Sequence, residues 1–81
     1  MATLSVNMVS TRRHVWDGEA SLVVMRTLSG EIGIMPGHSP LLAMLSDGPL
    51  LIRPVDGEDI RAYVHEGFVT VDGDKVIVLA E

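Results

Sequence analysis

An all-β chain, an antiparallel sandwich or flattened barrel of short strands with little or no helix, is what this sequence predicts. Two patterns carry that reading. Asp or Ser stands directly before glycine at Asp17-Gly18, Ser29-Gly30, Asp47-Gly48, Asp56-Gly57 and Asp72-Gly73. Glycine reaches the positive φ of tight turns and the preceding polar side chain supports them, so these pairs divide the chain into strand-length pieces. Between them apolar residues return at every second position, the period at which a strand shows one face. No stretch of about 11 residues keeps a helical apolar period free of Gly or Pro. The chain reads as a meander of hairpins.

Taken in order, Leu4, Val6 and Met8 alternate with Thr3, Ser5 and Asn7, giving a first strand with one buried face. After the expected turn at Asp17-Gly18, Leu22-Val23-Val24-Met25 lacks alternation, as does Val76-Ile77-Val78-Leu79 near the end. Such runs lie in a sandwich interior or are covered on both faces by a partner, and periodicity leaves both options open. Gly30 and Gly33 suit a hairpin and a bulge, and Pro36 and Pro40 stiffen the loop that follows. Ser39 to Leu45 is the one place where a single helical turn fits. Ile60, Ala62 and Val64 alternate with Arg61, Tyr63 and His65. Asp72-Gly73, between Phe68-Val69-Thr70-Val71 and Asp74-Lys75-Val76-Ile77, predicts a two-residue hairpin of type I′.

Length and charge bound the function. Eighty-one residues without cysteine make one module, with neither a disulfide nor a cysteine-based zinc site to supplement a small core. The longest apolar runs, Leu41 to Leu45 and Val76 to Ala80, fall far short of the roughly 20 residues of a spanning helix. No basic segment followed by an apolar one opens the sequence, so no secretory signal is read and the cytosol is the simplest compartment. Eleven acids against six bases, with Lys75 the sole lysine, argue against nucleic acid as a partner.

Candidate chemistry is sparse. His14, His38 and His65 with Glu31 or Glu66 lack the spacing of a metal site. His38-Ser39 has no nucleophile elbow around it, and Pro40 holds Ser39 extended, so catalysis is not expected. Gly30-Glu31-Ile32-Gly33 and Gly33-Ile34-Met35-Pro36-Gly37 are followed by no Gly-Lys-Ser/Thr, which removes the nucleotide cradle. One Trp, one Tyr and one Phe make no stacking platform. Trp16 is a core plug or an interface anchor, with partial burial expected. The loop with two prolines, a histidine and an acid, followed by Leu41-Leu42, suits docking a protein better than chemistry.

The run Gly30-Glu31-Ile32-Gly33-Ile34-Met35-Pro36-Gly37-His38-Ser39-Pro40-Leu41-Leu42 resembles the loop signature of the epsilon subunits of F-type ATP synthases. Leu4 to Ser10 leading to Val15-Trp16-Asp17-Gly18 is similar to that family's opening hairpin. His65-Glu66-Gly67-Phe68-Val69 is similar to its Gly-Gly-hydrophobic junction, with Glu66 where Gly is usual, and Val76 to Glu81 to the close of its β domain.

The resemblance implies a sandwich of about ten strands over residues 1–81, the family's N-terminal domain without the two C-terminal helices that restrain ATP hydrolysis. Whether the sequence is cut at a domain boundary or is naturally short stays open. It also implies a non-catalytic rotor subunit of the central stalk, peripheral on the cytoplasmic face of a bacterial plasma membrane, that couples proton translocation to ATP synthesis. Its partners would be the gamma subunit and the c ring, with no cofactor, metal or small-molecule ligand. Glu31, Pro36, His38, Pro40, Leu41 and Leu42 would face the ring, and Ser10 would lie toward gamma. The alternative is a small β-sandwich ligand-binding or accessory domain outside the synthase.

Overall fold

Alternation in the sequence becomes two-faced strands in space. The computed structural model describes residues 2–11 and 14–80, with only the backbone of His14. Eight strands, β1 (Leu4–Ser10), β2 (His14–Thr27), β3 (Gly30–Ile34), β4 (Leu41–Leu45), β5 (Gly48–Pro54), β6 (Ile60–Val64), β7 (Gly67–Asp72) and β8 (Lys75–Ala80), occupy these residues without a helix among them. The expected all-β sandwich is therefore present, with eight strands where the resemblance implied about ten.

β2 holds the architecture together. Its first half pairs with β1, from Trp16↔Met8 to Ala20↔Leu4, and its second half pairs with β3 on one side and β5 on the other. Ala20 pairs with both Leu4 and Pro54, and a register shift between Ala20 and Leu22 sits where the strand leaves one layer for the next. A bulge bends a strand and increases its twist, which lets one strand serve two layers. One layer is β1-β8-β7-β4 and the other is β3-β2-β5-β6; the Thr27↔Leu45 pair closes them on each other.

Inside lie Leu4, Val6, Met8, Ala20, Val23, Met25, Ile34, Leu45, Leu50, Ile52, Val64, Val69, Val71, Val76, Val78 and Ala80. These are the inward members of the alternating strands, and their burial is the main stabilising contribution. Thr27 is the one buried polar residue among those described, and it is satisfied. Its Oγ1 donates to the Gly30 carbonyl at 2.8 Å and accepts the Ser29 N–H at 3.1 Å, which staples the β2–β3 turn. Trp16 is half-buried against the core, as expected.

Several local expectations change. Asp17-Gly18 is no turn but lies inside β2; a Cβ on Gly18 would come within 2.9 Å of the Trp16 ring, so the glycine makes room for the indole. Asp47-Gly48 connects β4 to β5, which do not pair, so it is a crossing between layers and not a hairpin. Leu41–Leu45 is a strand, not a helical turn, because it pairs along its length with Val71 to Gly67 of β7. Gly33 pairs regularly with Val24, and the bulges are found instead in β2, at Val15 opposite β1 and at Ser21 opposite β5. The last hairpin turns at Gly73-Asp74, flanked by the Asp72↔Lys75 pair. Only Gly73 has positive φ there (62°), the pattern of a II′ turn. β1 and β8 run parallel, so the sheet is mixed and the chain is not a simple meander.

Candidate interaction surfaces

The outward residues of β4, β7, β8 and β1 define the first surface. Register places Met44 beside Phe68, Phe68 beside Leu79, and Leu79 beside Val9. A second row runs Leu42, Thr70, Ile77, Asn7. In these rows Leu42 (72% exposed), Met44 (56%), Phe68 (45%), Leu79 (42%) and Ile77 (41%) present one continuous apolar face to solvent. Ser10 borders it, paired with Ala80 at the end of β8. The seam between β3 and β4, which flank each other without pairing, opens a groove lined by Thr27, Leu28, Ile32, Leu41, Leu42 and Met44 that continues this face. Exposed apolar surface of this extent is characteristic of a protein interface.

β8 explains why sequence reasoning could see part of this. Its run lacks alternation because Val76 and Val78 point into the core while Ile77 and Leu79 point out. Neither option open for that run is what this fold provides: the core covers one face of β8 and the other is exposed. Phe68 left no comparable signal, since the hairpin predicted for its strand does not say which face stays open, and Met44 left none because its segment fits a helical turn in the sequence.

The turns gather at two ends. A row of pairs, Ser10↔Ala80, Ala80↔Gly67, Gly67↔Leu45, Leu45↔Thr27 and Thr27↔Gly30, marks one end. Leu28 (70% exposed), Ser29, Gly30 and Glu31 project there. The other end carries the loop of residues 35–40, the β5–β6 loop of residues 55–59 and the β7–β8 turn.

The six residues assigned to one ring-facing loop are thus divided. Glu31 sits at the Ser10 end, whereas Pro36, His38, Pro40 and Leu41 cluster at the other, with β3, about 13 Å long, in between. Leu42 belongs to the apolar face. His38 is half-buried; its Nδ1 lies 2.6 Å from the Ser39 carbonyl and its N–H donates to the Met35 carbonyl at 3.2 Å.

Charge also separates the ends. Asp56, Glu58, Asp72 and Asp74 are exposed at the loop end beside Lys75. At the Ser10 end Glu31, Asp47 and Glu66 are exposed with Arg26 and His65, and His65 Nδ1 lies 3.7 Å from Asp47.

On the second layer the outward residues are Glu31, Arg26, Arg53, Arg61 and Tyr63 over half-buried Leu22, Val24 and Leu51. Arg53 grips Asp59 through Nε (3.1 Å) and Nη2 (3.2 Å), and this hydrogen bonding holds the Asp59 carboxyl below the usual carboxylate range. No three His, Cys, Asp or Glu side chains among the described residues form a metal cluster; the His14 side chain lies outside those residues. The arrangement offers an apolar side and two polar ends as binding surfaces.

That is the build of a docking module on a β sandwich, and comparison with known proteins gives the family. Residues 3–81 match the family described as ATP synthase, Delta/Epsilon chain, beta-sandwich domain. The chain belongs to this family. It is 50% identical over 80 residues to the ATP synthase epsilon chain of Micrococcus luteus, covering 99% of this chain and 88% of that one. It is 54% identical over 80 residues to the epsilon chain of Streptomyces avermitilis, covering 99% of this chain and only 64% of that one. Among solved structures, a chain of the Euglena gracilis mitochondrial ATP synthase (OSCP/F1/c-ring) shares the fold, with a TM-score of 0.90 at 20% identity, covering 99% of this chain and 51% of that one. A chain of the Tetrahymena thermophila central stalk/c-ring gives a TM-score of 0.76 at 20% identity, over 95% and 62% of the two chains.

Proposed function

We propose that this domain is a non-catalytic rotor subunit of an F-type ATP synthase, seating gamma on the apolar face of β1, β8, β7 and β4 and the c ring at the end that bears Ser10 and Glu31. The observation that carries the reading is the exposed Leu42, Met44, Phe68, Ile77 and Leu79 face, in a family of ATP synthase chains. Ser10 borders that face, in keeping with a place toward gamma. Leu42 joins gamma's side for the same reason, and Pro36, His38, Pro40 and Leu41 flank it as a rim.

Charge favours the orientation. The cytoplasmic leaflet of a membrane carries a negative surface potential, so an end crowded with Asp56, Glu58, Asp72 and Asp74 is repelled by it. The opposite end, where Leu28 projects, is acidic too, with Glu31, Asp47 and Glu66 against Arg26, and it meets the ring at slightly less electrostatic cost because it carries one exposed acid fewer. The domain then sits on the cytoplasmic side and couples proton flow to ATP synthesis by holding gamma and ring together.

The test uses gamma and gamma–ring complexes. Phe68→Asp with Leu79→Asp abolishes capture of gamma, while Leu28→Asp with Glu31→Ala leaves gamma binding intact and weakens retention on the ring. Gamma binding that survives the first pair overturns the assignment of the face. Ring retention lost through His38→Ala and Pro36→Ala, and not through the Leu28 and Glu31 pair, reverses the orientation.

A further inference from the structure

The loop of residues 35–40 has little of its own to hold it. Pro36 and Pro40 lack the N–H that would anchor it, and Gly37 takes a φ of +88° with no heavy atom within 4 Å of where a Cβ would stand. Two internal contacts, His38 N–H to the Met35 carbonyl at 3.2 Å and His38 Nδ1 to the Ser39 carbonyl at 2.6 Å, close a turn but tie it to nothing else.

Asp74 supplies the tie. Its Oδ1 accepts the Gly37 N–H at 2.9 Å across 37 residues of sequence. Asp74 is itself held, because its carbonyl accepts the Ser5 N–H at 2.7 Å and the positive φ of Gly73 (62°) sets the turn in which it sits. The β7–β8 hairpin that carries Phe68, Ile77 and Leu79 thereby also fixes the loop leading into Leu41 and Leu42.

We propose that Asp74 is the positioning residue that fixes the loop of residues 35–40 as the rim of the gamma-docking face, an inference that rests on the docking reading above. A loop ordered before binding loses less conformational freedom on docking, so removal of its anchor weakens the complex without removing a contact to the partner. Asp74→Asn keeps a carbonyl acceptor where Asp74→Ala keeps none.

The experiment compares the full chain with both variants, by amide hydrogen exchange of Gly37 in the free protein and by affinity for gamma. In Asp74→Ala the Gly37 amide exchanges faster and gamma affinity falls about 5-fold, the size of one hydrogen bond. In Asp74→Asn both return to within about 2-fold of the parent, a rescue that a general loss of stability does not give. Unchanged Gly37 exchange in Asp74→Ala overturns the anchor. Faster exchange with unchanged gamma affinity overturns the rim. If Phe68→Asp with Leu79→Asp leaves gamma binding intact, the docking reading fails and takes the rim with it, while the exchange result still decides whether Asp74 holds the loop.

Discussion

The two layers of this sandwich have alike inner faces and unlike outer ones. Outside β4, β7, β8 and β1 stand Leu42, Met44, Phe68, Ile77 and Leu79; outside β3, β2, β5 and β6 stand Glu31, Arg26, Arg53, Arg61 and Tyr63. Core packing does not distinguish these positions, because none of their side chains points inward. A sandwich with one face built for water and the other for a partner accounts for the difference, and it explains how so small a module can present two sides without blurring them.

Glycine shows the same asymmetry and provides the largest expected effect. On the apolar layer a Cβ on Gly67 would collide with the Leu79 carbonyl and stand 2.8 Å from the Ala80 Cα, both backbone. On the polar layer a Cβ on Gly33 would meet Leu22 Cδ1 at 3.8 Å, ordinary contact. Gly67→Val is expected to cost about 3 kcal/mol in denaturant unfolding, and Gly33→Ala under about 1. Equal costs break the view that β7 and β8 are locked in close register beneath the apolar face.

Next in size is binding. Phe68→Ser and Leu79→Ser each reduce gamma affinity about 30-fold while unfolding shifts by no more than about 0.5 kcal/mol. Arg61→Ser and Tyr63→Ser on the other layer leave both unchanged. A loss of gamma binding of similar size on the polar layer removes the division between the faces.

How much of this was legible in the sequence follows from what each signal encodes. Period-two patterning says which side of a strand is buried, so Leu4, Val6, Met8 and Val64 were identifiable as core. It is silent on which strand lies alongside, so the parallel β1–β8 pair and the β4–β7 pair, both between distant segments, could not be read. Asp-Gly pairs mark positions that can turn, not positions that must; Gly18 is used for the Trp16 ring instead. The assigned site residues suffered from the same limit. Gly30 to Leu42 is contiguous in sequence, but Gly30–Ile34 and Leu41–Leu45 are strands, which carry Glu31, His38 and Leu42 to three different places. Family resemblance supplied the fold and the family, because that kind of likeness does not depend on deriving the pairing.

Turns sharpen the comparison further, at smaller amplitude. Gly73 (φ 62°) closes a two-residue turn under the apolar layer, whereas Gly57 (φ 112°) lies in the longer loop of residues 55–59 on the polar one. Gly73→Val is expected to cost about 1–2 kcal/mol and Gly73→Asn clearly less, since Asn tolerates positive φ. A longer loop readjusts, so Gly57→Val costs less than Gly73→Val. Identical melting temperatures for the two Gly73 variants count against positive φ at that position.

The smallest effect is electrostatic and belongs to the polar layer alone. Hydrogen bonding to Arg53 lowers the pKa of Asp59 in the folded protein, while the unfolded carboxyl titrates near ~3.9. A group whose folded pKa is depressed adds stability that is fully present above its unfolded pKa and is lost as pH falls through the folded one. The Arg53–Asp59 pair is therefore worth something at neutral pH and nothing in strong acid, and its exposure keeps even the neutral value small. Arg53→Gln removes it. Melting curves of parent and Arg53→Gln protein should differ slightly at pH 7, still differ at about pH 5, and converge as pH drops below ~4. A gap that stays constant across that range assigns the effect of Arg53 to packing of its aliphatic stem over Leu22 and not to Asp59. High salt provides the matching check, because screening narrows an electrostatic gap at pH 7 and leaves a packing one unchanged.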